Sequence, residues 1–148
     1  MAYCTLADME KLTSPTMLIN LSNNQAGALT PNQSNIDEAI DQADREIDAY
    51  ISLAGYAVPM DPVPPLIANL SAKMAIWNLH LRKYFDSEIW RSTYETCQRI
   101  LLRIAEGKIT IGQEIEGEQQ AAPGKQVIAT RPRKFTQSTM EAFNGLSN

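Results

Sequence analysis

The chain has 148 residues, 44% hydrophobic and 20% charged, with a formal net charge of −4. That length suits a single domain with a real core, and the composition is that of an ordinary globular chain. No apolar run approaches a membrane span. Met1-Ala2-Tyr3-Cys4 lacks a basic region followed by an apolar one, so neither membrane embedding nor a cleaved secretion signal is expected. Cys4 and Cys97 show no metal or redox spacing and read as two reduced thiols.

Thr5 followed by Asp8 is a helix start, and Leu6, Met9 and Leu12 give a short helix one apolar face. Ser14-Pro15 ends or redirects it, and Met17 to Leu21 allows a second short helical piece. Ser22 to Ser34 reads as a polar loop and the least ordered part of the first half. From Asn35 the pattern changes. Ile36, Ala39, Ile40, Ala43, Ile47, Tyr50, Ile51 and Ala54 recur at steps of three and four, predicting a long amphipathic helix. Asn35 with Glu38 suits a capping box, Gly55 offers a stop, and Pro59 cannot continue the helix.

On this helix Asp37, Asp41, Asp44 and Asp48 form one carboxylate stripe. Hard cations prefer oxygen donors, but no second element supplies further ligands, and Arg45 lies within helical reach of Asp41 and Asp48. The stripe is therefore expected to be a solvated or interfacial face rather than a metal site. A metal-dependent enzyme built on these carboxylates would carry bound metal, which elemental analysis reads directly.

Asp61-Pro62-Val63-Pro64-Pro65 is a rigid connector into the next helix. Val63, Ile67, Leu70, Met74, Trp77, Leu81 and Tyr84 step on by four and three, while Ile76 and Leu79 fall nearly opposite. A helix apolar on more than one side belongs at the centre of the packing. Asp86 sits where an N-cap is needed, and Trp90, Tyr94, Cys97, Leu101 and Ile104 continue the rhythm to a stop at Gly107. Trp77, Tyr84, Trp90 and Tyr94 read as core aromatics rather than a ligand pocket. His80, the single histidine, excludes a two-histidine metal motif and reads as a packing or surface residue. No phosphate-cradling glycine loop or nucleophile elbow is present, so an enzyme and a cofactor are not expected.

Lys108 to Ile111 could form a brief strand-like segment. After Gly112 the character changes to Gln, Ala, Gly and Pro, as in a flexible or extended arm. Residues 36–54 carry six acids against Arg45, a net of −5, whereas Lys125, Arg131, Arg133 and Lys134 give residues 125–135 a net of +4. Phe135 follows directly, and Met140 and Phe143 could share one side of a helical turn. Basic and apolar residues together in an arm suit docking into a protein groove better than binding nucleic acid. The expected fold is all-α. A small antiparallel bundle of three main helices and a short N-terminal helix occupies residues 1–112, and an extended C-terminal arm occupies 113–148.

Segments of this chain, in order, resemble the Mu-like phage head-to-tail joining (neck) proteins. Tyr3 with Thr5-Leu6-Ala7-Asp8-Met9 is similar to the family's opening. Ile36-Asp37-Glu38-Ala39-Ile40, with Glu46-Ile47 and Tyr50, resembles its helix, followed by the Tyr56–Pro59 turn, although Met60 replaces the usual leucine. Pro64-Pro65-Leu66-Ile67, Tyr94 through Ile104-Ala105-Glu106-Gly107-Lys108, and Arg133 with Phe135-Thr136 and Met140 to Phe143 complete the likeness.

The resemblance implies a structural adaptor of a tailed phage, made in the host cytoplasm and carried in the virion neck. It would form a dodecameric ring beneath the portal protein and meet a tail or tail-completion protein on the other side. Double-stranded DNA would pass through its channel without sequence-specific binding. Arg131, Arg133, Lys134, Phe135, Met140 and Phe143 would dock on the portal or a neighbouring subunit, and Asp37, Asp41, Asp44 and Asp48 would form a subunit or channel surface. The alternative is a small nucleic-acid-binding or regulatory helical module that uses the basic tail.

Overall fold

The computed structural model describes residues 2–112, and these form five helices with no strand among them. They are α1 (Leu6–Glu10), α2 (Pro15–Ser22), α3 (Gln33–Leu53), α4 (Pro65–Arg82) and α5 (Glu88–Ala105). The all-α expectation holds for this body. The proposed arm, including Arg131, Arg133, Lys134, Phe135, Met140 and Phe143, lies outside the described residues.

Local chemistry explains each start. Asp8 N–H donates to Thr5 Oγ1 while Thr5 N–H donates to Asp8 Oδ2, the reciprocal capping pair expected from the sequence. Ser14 caps α2 by accepting from Met17 N–H, and Pro15 stands in the first turn, where a missing N–H costs nothing. Ser14-Pro15 thus begins a helix of eight residues, longer than the sequence pattern suggested. The cap of α3 is Asn32, not Asn35. Asn32 Oδ1 accepts from Asn35 N–H at 3.2 Å, while the Asn35 amide reaches across to Ser22 C=O at 2.7 Å. The N-cap position of α5 is Ser87 rather than Asp86, but its side chain makes no capping bond, and Asp86 pairs with Arg91 instead, with Nη2 to Oδ2 at 2.5 Å.

The loop between α2 and α3 is pinned, against the loose segment expected there. Ser22 Oγ accepts from Asn32 N–H at 2.9 Å, and the Asn23 amide donates to Thr30 C=O at 2.8 Å. Arg82 holds Asn24 Oδ1 at 2.6 Å, tying this loop to the end of α4.

Two pairs of cross-helix contacts give the direction of packing. Ser71 meets Asp44, whereas Asn78 donates to Ala39 C=O, so α4 ascends as α3 descends. His80 faces Trp90 and Trp77 faces Tyr94, so α5 is antiparallel to α4 in turn. α4 sits centrally, touching all four other helices, and Ile67, Leu70, Met74, Ile76 and Leu79 are fully buried on different sides of it. On α3 the predicted stripe of Ile36, Ala39, Ile40, Ala43, Ile47 and Ile51 is buried as one face.

The strand-like expectation for Lys108–Ile111 is not met. Gly107, at φ +70, lets Lys108 N–H cap Arg103 C=O, and Ile109 and Ile111 fold back onto the core. Between α3 and α4, Tyr56 and Met60 plug the core, and Val58-Pro59 and Asp61-Pro62 are cis.

Ile47 is fully buried and Leu53, on the same helix, is largely exposed. Ile47→Ala should lower unfolding free energy by about 2–4 kcal/mol, and Leu53→Ala should change it by less than about 0.5, as read by urea titration.

Candidate interaction surfaces

The four aspartates of α3 share one helical face but not one environment. Asp37 and Asp41 are exposed: Asp37 accepts from the Gln33 amide at 2.7 Å, and Asp41 pairs with Arg45 at 2.7 Å. Asp44, expected as part of an outer surface, is only 7% exposed. It accepts from Tyr3 N–H at 2.8 Å and from the Ser71 hydroxyl at 2.5 Å. Asp48 is half-buried and takes the Tyr3 phenol instead of the Arg45 partnership considered from spacing. The cause is coverage. The N-terminal segment lies over the second half of the face, and α4 closes behind it, while the first half stays in solvent.

A signal for this was present. Ile40, Asp44, Ile47 and Ile51 step by four, three and four, so Asp44 interrupts the apolar stripe itself. Ser71 interrupts the Ile67–Met74 stripe of α4 in the same way, and the two interruptions face each other. What no local pattern could reveal is the third member, the backbone of Tyr3, more than forty positions away.

Burial pushes the Asp44 carboxyl above its usual range, and the nearby Asp48 and Asp41 charges add to this, against the lowering effect of its two hydrogen bonds. Ser71 Oγ also lies 3.2 Å from Cys4 Sγ. One hydroxyl proton cannot serve both neighbours, so it belongs to the closer carboxylate and the Cys4 thiol turns toward Oγ. Burial pushes that thiol up to about 11, which keeps it protonated and unreactive. Tyr3 completes the hub: its oxygen accepts from Met60 N–H at 3.0 Å, and burial with the Asp48 bond keeps the phenol protonated beyond its ordinary range.

A second polar cluster joins α3 to α5. The Tyr94 hydroxyl meets Glu46 Oε1 at 2.9 Å, the Gln98 amide reaches the same oxygen at 3.1 Å, and Gln98 also reaches Tyr94 at 2.9 Å. Burial and the Glu46 carboxylate push Tyr94 up to about 12. Trp77 stacks on Tyr94 with centroids 5.9 Å apart.

The corner between α4 and α5 departs most from expectation. Tyr84 was expected in the core but is 97% exposed. α4 ends at Arg82, and at φ +53 the turn throws the Tyr84 side chain outward. His80 goes the other way: it is 1% exposed, between Phe85 at 5.7 Å and Trp90 at 6.1 Å. Among the described residues neither ring nitrogen makes a hydrogen bond of ordinary geometry. Burial pushes the imidazole below its usual pKa, and the backbone of Phe85 offsets this only in part.

No group of three or more metal-ligating side chains converges among the described residues. None of their helices is long and apolar enough to cross a membrane. The sequence profile of the family described as Bacteriophage Mu, Gp36 matches residues 3–130. The chain belongs to this phage protein family. The Bacteriophage Mu, Gp36 match begins at Tyr3, the residue that anchors the hub, covers the whole helical body and stops at Thr130, just before Arg131. A comparison with curated proteins finds no match.

Two outcomes follow. Asp44→Ala strands Ser71 and Tyr3 N–H in the core and should cost about 2–4 kcal/mol by denaturant titration. His80 takes up its proton less readily in the fold than when unfolded, where it titrates near pH 6.5, so the unfolded state binds more protons as pH falls through that range. The wild-type protein should therefore lose stability relative to His80→Leu as pH falls from 7.5 to 5.5; a constant difference would show that the ring is not desolvated.

Proposed function

We propose that this protein is a head-to-tail connector of a tailed phage, a non-enzymatic structural adaptor of the neck. Copies form a closed ring beneath the portal protein, a dodecamer in the reading implied by the family likeness. A tail or tail-completion protein binds the far side, and double-stranded DNA passes through without sequence-specific contact. Membership of the Bacteriophage Mu, Gp36 family over residues 3–130 carries this reading.

The physical features agree with such a part. The body is tied together by internal polar clusters rather than left open around a reaction centre. The exposed acids Asp37, Glu38 and Asp41 give one outer stretch of α3 negative charge. Such a surface repels duplex DNA if it faces the channel, or meets basic groups if it faces a neighbour. The segment from Arg131 to Phe143 supplies cations and apolar anchors for the portal or an adjacent subunit.

Deleting residues 125–148 should leave the helical circular dichroism unchanged and abolish assembly of tailed particles. Normal tailed particles from that truncation would overturn the connector reading of the arm. The intact protein should also fail to retain short duplex DNA at about 0.15 M salt. Tight retention that collapses as salt rises would favour a nucleic-acid-binding module instead.

A further inference from the structure

We infer that the cleft between the first half of α3 and the end of α4 receives Arg103, with Leu102 beside it, from the α5 of a second copy of this chain. The cleft has a volume of about 320 Å³ and is lined from α3 by Asn35, Glu38 and Gln42 and from α4 by Asn78, Leu81 and Arg82. Most of its donors are spent inside the body. The Asn35 amide donates to Ser22 C=O at 2.7 Å, and the Asn78 amide donates to Ala39 C=O at 3.1 Å. Arg82, the one cation of the lining, holds Asn24 Oδ1 at 2.6 Å and reaches the carbonyls that end α2. What stays unmet are acceptors, the Oδ1 atoms of Asn35 and Asn78 and the Glu38 carboxylate. Glu38 is exposed, and its side chain makes no ion pair or hydrogen bond among the described residues. Such a cleft suits a cation that brings several N–H donors at once, and a guanidinium carries five. Leu81, 53% exposed on one wall, gives an apolar companion a surface to pack on.

The second half of α5 offers that combination. Arg103 is exposed, and its guanidinium has no partner among the described residues. Arg99, one turn earlier, stays on its own helix, bonded to Thr96 and the Glu95 carbonyl. Like charges four residues apart repel on a helix, so a carboxylate arriving from outside relieves the pair. Leu102, 50% exposed, is the apolar neighbour. The charge balance is opposite on the two sides. About the cleft, Asp37, Glu38 and Asp41 stand against Arg45 and Arg82; on α5, Arg99, Arg103 and Lys108 stand against Glu95 and Glu106.

A chain cannot make this contact with itself. Both α3 and α5 are antiparallel to α4, so they run the same way, and Glu46 lies level with Tyr94 and Gln98. Glu38 comes eight residues before Glu46, and Arg103 comes nine after Tyr94. At the helical rise this separates the two by about 20–25 Å along the bundle, further than a side chain reaches. Donor and receptor at opposite ends of one body make a head-to-tail contact, which repeats around a ring or along a filament. That it closes into a ring rests on the connector reading; the pairing of the two surfaces does not.

The test is self-association of full-length chains, followed by sedimentation equilibrium up to the solubility limit. Glu38→Arg and Arg103→Glu each set like charges against one another across the contact. Neither side chain bonds within the body, so the helical circular dichroism should not change. Each variant should weaken association at least about tenfold, and the chain carrying both should recover to within about threefold of wild type. Raising the salt should weaken the wild-type association as well. The contact is overturned by a wild-type chain that stays monomeric at every concentration, by single variants that associate like wild type, or by a double variant no better than either single one. If that happens while the 125–148 deletion still abolishes tailed particles, this contact alone is wrong. If the deletion leaves particles normal, it is the connector reading of the arm that falls.

Discussion

A carboxylate held inside the helical body sets the terms for most of this structure. Asp44 cannot remain there without donors, and the two it has come from different parts of the chain, the Tyr3 backbone and the Ser71 hydroxyl. Neither α3 nor α4 could turn away without stranding a polar group in apolar surroundings, where the cost is several times the net worth of the bond. The N-terminal segment is thereby made part of the core, and Tyr3 carries that constraint on to Asp48 and to the Met60 turn. One buried acid thus fixes four elements that are distant in sequence.

That arrangement sharpens what the family membership means physically. The connector role we propose would require a subunit to keep its shape while its surfaces are engaged on two sides. Polar clusters with full partnership give that kind of rigidity, since each bond is strengthened by low local dielectric and each loss is expensive. Outside these clusters, the first half of the α3 aspartate face and the apolar corner around Tyr84 stay exposed.

Much of the body was legible in its sequence, for definable reasons. The three long helices announce themselves because their apolar positions recur with helical spacing and are buried as read, from Ile36 to Ile51 and from Ile67 to Leu79. Helix starts were less legible. Asn32 and Asn35 are equally good caps in isolation, and the choice is made by Ser22 C=O, which claims the Asn35 side chain. Asp86 does not cap α5: it pairs with Arg91, and Ser87 at the cap position makes no side-chain bond. The aspartate stripe was misread at Asp44 because residue type was given more weight than position; its place between Ile40 and Ile47 was the better guide. Tyr84 failed in the opposite sense, since a periodic pattern was followed past the point where the helix ends.

The α3–α5 latch of Glu46, Tyr94 and Gln98 has a mechanical implication. Packed helices can shift past one another by about 1–2 Å or, more drastically, ratchet by a full turn of about 5.4 Å. Here a one-turn slip of α5 along α3 would pull Tyr94 and Gln98 off Glu46 together. Sliding of α5 along α3 must therefore break these polar contacts at once, which ties the two helices into one mechanical unit.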